Sequence, residues 1–186
     1  MILLYNLFSL VLDAIAGVLA GVLLLRFWIQ IVRVRPPPQI AQFTFQLSDW
    51  IVKPLRRVIP GVGGFDWASL IAAYLIVLVC TAIKVWLVLE WFPPSLFIMA
   101  LFSIAQWIIY GLTALLILEV IFSWVNPDAP LAPFVRALNA PLLQPIRRVL
   151  PLLGGLDISP MVLFLLLQMT SRVLTYLAVM TGMALV

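Results

Sequence analysis

Two ionised side chains set inside apolar runs, Arg26 and Glu119, are the residues of this sequence best placed to do chemistry. They occupy matching places in the first and third long apolar stretches, seven residues before Arg33 and nine before Asp128. By helical rise, each would lie about 10 Å inside the edge of its stretch. A charge at that depth of a bilayer is costly unless it is paired or hydrated. The sequence therefore predicts that Arg26 and Glu119 pair with each other across the molecule. Such a pair could be a gate or a proton- or ion-linked site. It could equally be a clamp that fixes helix contacts, or Arg26 could reach the headgroups along its own stem. Asp13, Lys84, Glu90 and Arg172 fall toward the other end of these stretches. Two acids and two bases at compatible depths could neutralise one another, as packing links or as the lining of a polar cavity.

The second feature is repetition. Residues 53–66, Lys-Pro-Leu-Arg-Arg-Val-Ile-Pro-Gly-Val-Gly-Gly-Phe-Asp, align without gaps on residues 144–157, Gln-Pro-Ile-Arg-Arg-Val-Leu-Pro-Leu-Leu-Gly-Gly-Leu-Asp, and eight of the fourteen positions are identical. Arg56, Arg57, Arg147 and Arg148 are its charged centre. They could contact anionic lipid or a cytoplasmic partner, or simply keep these segments inside. Around them Pro54, Pro60, Gly63, Gly64 and Asp66 match Pro145, Pro151, Gly154, Gly155 and Asp157. The glycines allow a tight turn. Asp157 or Ser159 can cap the next helix, with Pro160 suited to its first turn.

Other chemistry is missing its parts. The chain has no histidine and one cysteine, Cys80. That excludes a Ser-His-Asp or Cys-His nucleophile and an internal disulfide, and it removes the commonest ligand of zinc and haem. No catalytic residue, metal site or cofactor can be named, so an enzyme is not expected. The net charge of +4 invites a nucleic-acid reading, but no aromatic-basic platform accompanies the arginines, and no nucleic-acid partner is expected.

The elements that must position these residues are membrane helices. Hydrophobic residues make up 65% of the 186 and charged residues 10%, too apolar for a soluble domain of this length. Four runs could span a bilayer: roughly 10–32, 67–92, 95–124 and 160–185. No basic residue precedes the first run, which argues against a secretory leader. Pro93-Pro94 leaves almost no loop between the second and third spans, which makes them antiparallel. Of the eleven basic residues, eight lie in two connections: Arg33, Arg35, Lys53, Arg56 and Arg57 in one, Arg136, Arg147 and Arg148 in the other. Positive charge stays inside, so both connections should be cytoplasmic, with both termini and Pro93-Pro94 outside. Trp28, Trp67, Trp91 and Trp124 near span ends form an interfacial belt. Gly17 and Gly21 are a weak small-xxx-small dimer signal.

The chain thus reads as two parallel repeats, 1–92 and 93–186, each a span, a connection and a span. The connections are more than loops. Ile40, Phe43, Leu47, Trp50, Ile51, Leu55 and Val58 recur at helical steps opposite Gln39, Gln42, Gln46, Asp49, Lys53 and Arg56, which is an amphipathic helix. Phe134, Leu138, Leu142, Ile146 and Val149 do the same, although Pro141 and Pro145 should kink or break that helix. Such helices lie in the interface, apolar side in lipid and basic side at headgroups.

The run Pro-Leu-Leu-Gln-Pro-Ile-Arg-Arg-Val-Leu-Pro-Leu-Leu-Gly-Gly-Leu-Asp-Ile-Ser-Pro at 141–160 resembles the signature of the YggT family of small bacterial membrane proteins. Ser123-Trp124 and Leu-Leu-Leu-Arg-Phe-Trp at 23–28 are similar to it as well. The first copy departs at Asp66-Trp67-Ala68-Ser69, where the second has Asp157-Ile158-Ser159-Pro160, so the halves have diverged. The resemblance implies a location in the bacterial cytoplasmic membrane and a link to osmotic or salt tolerance. It also implies, through cyanobacterial and plastid relatives, roles in nucleoid distribution, division or cytochrome b6 maturation. That spread suits an assembly or organising factor that meets anionic lipids and other membrane or cytoplasmic proteins, with homo-oligomers possible. A small oligomeric ion channel or transporter for osmotic adjustment is the alternative.

Overall fold

In the computed structural model, described over residues 2–59, 61, 63–90, 93–150 and 157–180, the chain is all helical. The six helices are α1 (Ile2–Val32), α2 (Pro38–Val58), α3 (Trp67–Leu89), α4 (Leu96–Val125), α5 (Ala132–Val149) and α6 (Ser159–Met180). Four of them, α1, α3, α4 and α6, are long and apolar enough to cross a membrane, over 30, 22, 30 and 22 residues. A long span followed by a shorter one thus occurs twice. At 1.5 Å per residue the shorter ones match a hydrocarbon core of about 30 Å and the longer ones exceed it. The first span begins well before residue 10, where composition alone placed it. The protein is a multi-pass membrane protein of two tandem repeats, α1–α3 and α4–α6.

Local sequence explains the boundaries. α1 stops where Arg33 turns left-handed (φ 57°) and Pro36, Pro37 and Pro38 follow. Gly63 and Gly64 take φ of 69° and 81°, a turn that a side chain would strain. α2 runs unbroken through Pro54, and α5 through Pro141 and Pro145. The expected break does not occur; all three prolines sit on exposed faces of their helices, where the carbonyl left without a donor is open to the surroundings and one bond is lost rather than a turn. Pro60, Pro151, Gly154 and Gly155 lie outside the described residues.

The two repeats pack through equivalent positions filled differently. In the first, Ala20, Leu23, Val52, Ala68, Ala72, Ala73 and Val77 form one buried cluster. In the second, Leu116, Leu143, Leu163 and Leu167 join Ile109. Val52 and Ala72 align on Leu143 and Leu163 at the spacing of the repeat. Alanines let α1 and α3 approach closely, as small residues do in lipid, whereas α4 and α6 are held by leucine packing. The repeats meet where Val85, Leu96 and Met99 cluster at the α3–α4 turn, and where the ring of Trp107 on α4 lies against Gly17. A Cβ at Gly17 would come within 3.0 Å of that ring. Gly17 is therefore spent inside the chain and not on the dimer contact that its spacing with Gly21 suggested. Trp28 donates its Nε1–H to the Leu138 carbonyl of α5 at 3.0 Å, which sets α2 and α5 at the same end of the molecule.

Exchanging the two packing modes should be costly in both directions. Ala72→Leu should destabilise the detergent-solubilised protein by about 1–3 kcal/mol through overpacking. Leu163→Ala should cost about 2–5 kcal/mol through a cavity. Unfolding midpoints measured against the parent protein check both.

Candidate functional site

The charged residues converge on the end of the bundle that α2 and α5 cover. α2 presents Thr44, Ser48 and Val52 to the bundle as its buried stripe, which brings Asp49 to its edge. Arg26 reaches this stripe from α1. Its Nη1 donates to Ser48 Oγ at 2.6 Å and to Asp49 Oδ1 at 2.8 Å. Its Nε is 3.4 Å from Asp66 Oδ2. Its guanidinium carbon lies 4.9 Å from the centre of the Phe45 ring, a cation–π contact strengthened by burial. Arg26 is only 7% exposed, so every part of this cradle counts.

Asp66 joins the site to the turn. It caps α3, accepting from the Ser69 Oγ–H at 2.6 Å. On its other side it takes a forked pair from Arg56, Nε to Oδ1 at 3.2 Å and Nη2 to Oδ2 at 2.5 Å. The second repeat builds the same closure. Arg147 Nε donates to Asp157 Oδ2 at 2.8 Å, and Asp157 Oδ1 accepts the Ser159 N–H at 2.9 Å as α6 begins. In both repeats the first arginine of the Arg-Arg pair clamps the aspartate ten residues on, which ties the connecting helix to the span that follows. Asp157 stands two residues before the first residue of α6, whereas Asp66 is the N-cap of α3 itself.

The clamps differ in depth. Asp66 is 3% exposed, whereas the Asp157 side chain is 33% exposed. Burial works against ionisation at both, yet hydrogen bonds from Arg56 and Ser69 hold Asp66, and those from Ser159 and Arg147 hold Asp157, below the usual carboxylate range. Asp49 is held down as well, by its hydrogen bonds from Lys53 and then Arg26.

The pairing expected between Arg26 and Glu119 is not made. Glu119 accepts from Arg147 Nη2 at 3.3 Å, and Arg26 is engaged by Ser48, Asp49 and Asp66. Each buried charge has its nearest partner inside its own repeat because the connecting helix folds back over its own span and is nearer than the other half; the partner of Glu119 is shared with Asp157. The two residues nonetheless stand at equivalent positions, each six residues before the end of its helix. Sequence reasoning missed Ser48, Asp49 and Asn139. The signal available was an acid on the polar face of α2, one helical turn before Lys53. Arg57 and Arg148 are exposed at the ends of α2 and α5; among the described residues neither has an ion-pair partner.

Toward the opposite end, Lys84 Nζ meets Asp13 Oδ1 at 2.5 Å, joining α3 to α1. Gln106 donates to Ser171 Oγ at 2.6 Å, joining α4 to α6. Asp13 and Gln106 are again equivalent when counted back from their helix ends. Glu90 caps α3 in a left-handed conformation, and neither it nor Arg172 forms an ion pair among the described residues, so the expected four-membered neutralisation reduces to one pair.

The model of the family described as CCB3/YggT matches residues 5–87 and again residues 98–178. An uncharacterised protein of Pseudomonas aeruginosa is 39% identical over 93% of this chain and 91% of its own length. An uncharacterised protein of Escherichia coli K12 that bears the name YggT is 37% identical over 87% of this chain and 86% of its own. One from Haemophilus influenzae is 30% identical over 91% and 92%. No solved structure matches the chain.

The unequal burial gives an ordered expectation. Asp66→Asn leaves a buried Arg26 short of a counter-charge and should cost about 3–5 kcal/mol. Asp157→Asn loosens a partly exposed pair and should cost about 1 kcal/mol or less. Denaturant unfolding of the two variants in one detergent checks the order. Acid should reveal the same group. Aspartates whose folded pKa is depressed contribute stability that is complete above their unfolded value of about 3.9 and is lost as pH falls through the folded value. The unfolding midpoint should therefore drop below about pH 4, and the acid limb should flatten in Asp66→Asn.

Proposed function

The chain belongs to the CCB3/YggT family, and on that premise we propose that it is a non-enzymatic assembly or organising factor of the bacterial cytoplasmic membrane with a part in osmotic or salt tolerance. The observation that carries this reading is the division of labour within each Arg-Arg pair. Arg56 and Arg147 are spent on Asp66 and Asp157. Arg57 and Arg148 are held beside them, exposed and twice over. A topology signal needs only the charge; it does not need a clamp that fixes where the second arginine stands.

The surroundings suit a docking role. Arg57 and Arg148 occupy the last turns of α2 and α5, where a cation also meets the helix dipole favourably. Each is followed by a bare valine, Val58 at 81% and Val149 at 80% exposure. Phe43 and Trp50 project from α2 as well. Apolar side chains at the acyl boundary with arginines at headgroup level are how an interfacial helix holds anionic lipid. The same arginines are then presented to membrane or cytoplasmic proteins. The excess of basic residues in both connections favours a cytoplasmic place for this face, with both termini outside, and a homo-oligomer would multiply the docking points.

Transport by an oligomer is the second reading, prompted by Arg26, Glu119 and Lys84 within the spans. Arg26 and Lys84 are each engaged by aspartate, and the cleft between α1 and α4 is walled by leucines, tryptophans and glycines, which offers an ion no polar path. The organising role fits these groups better.

A photo-crosslinker placed at Gln144, one turn before Arg148, should recover discrete protein partners from living cells. Arg57→Glu with Arg148→Glu should cut that recovery at least fivefold and fail to restore growth at raised osmolarity in a strain lacking the protein. Vesicles holding purified protein should not pass rubidium or sodium ions. Ion flux together with crosslinks to lipid alone would reverse the assignment.

A further inference from the structure

The geometry points to a binding site for a small monovalent cation in the second repeat, between Glu119 and Asn139, in the place that the Arg26 guanidinium fills in the first. Two buried oxygens mark it. Glu119 is 7% exposed and Asn139 0%, and among the described residues Glu119 Oε2 and Asn139 Oδ1 have no hydrogen-bond donor. The orientation of the amide is fixed by chemistry. Asn139 Nδ2 lies 2.9 Å from the Leu115 carbonyl, which can only accept, so Oδ1 is the atom left over. Leu115 is one helical turn before Glu119 on α4, and helix side chains lean toward the N-terminus. The carboxylate therefore comes back over the turn on which Asn139 is anchored.

Comparison of the repeats shows what is missing. Asn139 aligns on Ser48 at the spacing of the duplication, and Ser48 Oγ takes a hydrogen bond from Arg26 at 2.6 Å. Glu119 stands at the helix position of Arg26. The first repeat thus carries its own cation at this spot, Arg26, set against Asp49 and Asp66, which Lys53 and Arg56 meet from outside. Among the described residues the second has no such cation. Arg147 faces both Asp157, at 2.8 Å, and Glu119, at 3.3 Å, and lies closer to the former. One negative charge is left over, and it belongs to the more deeply buried carboxylate. A water molecule could satisfy the two orphan oxygens, but it would leave that charge uncompensated in an apolar surrounding. A bound cation meets both needs; its competitor is a proton on Glu119 Oε2 donated to Asn139 Oδ1, and the measurement below separates the two.

The donors select its class. A carboxylate and an amide oxygen, completed by water, suit a hard ion. A divalent ion such as calcium draws on several carboxylates, and one surplus charge here calls for a single positive charge, that of an alkali cation.

The test is equilibrium binding of radioactive sodium and rubidium ions to the purified full chain in nanodiscs. N-methyl-D-glucamine chloride holds the ionic strength constant, and unfolding midpoints are read in the same salts. At least one alkali cation should bind saturably at about one per chain and raise the midpoint. Glu119→Gln and Asn139→Leu should each weaken binding tenfold or more, and Asn139→Asp, which adds a second carboxylate, should tighten it at least threefold. If Glu119→Gln does not fold, the opposed Asn139 variants decide the matter alone. Absence of alkali-ion binding to the parent protein overturns the site, whether or not a proton takes the place. Binding that all three variants leave unchanged overturns it equally.

Discussion

A charge buried among membrane helices must find its counter-charge within reach, and the arrangement at the covered end of this protein follows from that constraint. Arg26 cannot be left bare in an apolar surrounding, and the side chains that meet it belong to the stretch that immediately follows its own span. Ser48 and Asp49 come from α2, Asp66 from the cap of α3, and Arg56 closes the group. Meeting one charge therefore ties three helices of a repeat together. This is why α2 stays pressed against the bundle through Thr44, Ser48 and Val52, with Ile51 and Leu55 packed beside them, while Phe43, Phe45, Trp50 and Val58 face outward. The electrostatic need and this apolar edge together orient the helix.

The Arg–Asp clamp shows the same economy at the turn. An aspartate at the start of a helix already has a local task, because it accepts an otherwise orphaned N–H. Bridging that aspartate to an arginine at the end of the preceding helix converts a cap into a tie between consecutive elements. The duplication preserved the tie in both halves, from Arg56 to Asp66 and from Arg147 to Asp157. What changed is depth. In the first half the aspartate of the tie is buried beside Arg26; in the second it is partly open to solvent. Small residues where α1 meets α3 permit the closer approach that seals it, and leucines at the equivalent positions hold α4 and α6 by bulk.

The organisation was legible in the sequence where the signal was local or repeated. Four apolar runs, a gapless duplication and a period of three to four residues in the connections were enough to place α1 to α6, because hydrophobic length and periodicity act along the chain. Which charge meets which was not legible. Arg26 and Glu119 stand at matching positions, and matching positions related by an approximate twofold axis suggest a pair. Periodicity carries no information on how far a connecting helix folds back, and that decided the outcome: α2 lies over α1, so Asp49 reaches Arg26 first. The continuity of α5 through Pro141 and Pro145 was equally hidden, since a proline's cost depends on which face it occupies.

Divergence between the halves is informative because the backbone plan is shared. At equivalent positions near the ends of the long spans, one half carries a cation and the other an anion, while the clamp beside them has kept its sign. In the first half Arg26 meets two carboxylates, Asp49 and Asp66. In the second, Glu119 and Asp157 share Arg147. Buried polar atoms without partners occur in both halves, Arg26 Nε and Thr44 Oγ1 in one, Glu119 Oε2 and Asn139 Oδ1 in the other, so the sign of the charge and not the count of orphans sets the halves apart. The first half thus holds a cation where three of its helices meet. The second holds a carboxylate at the matching position, beside a clamp whose aspartate is more open to solvent.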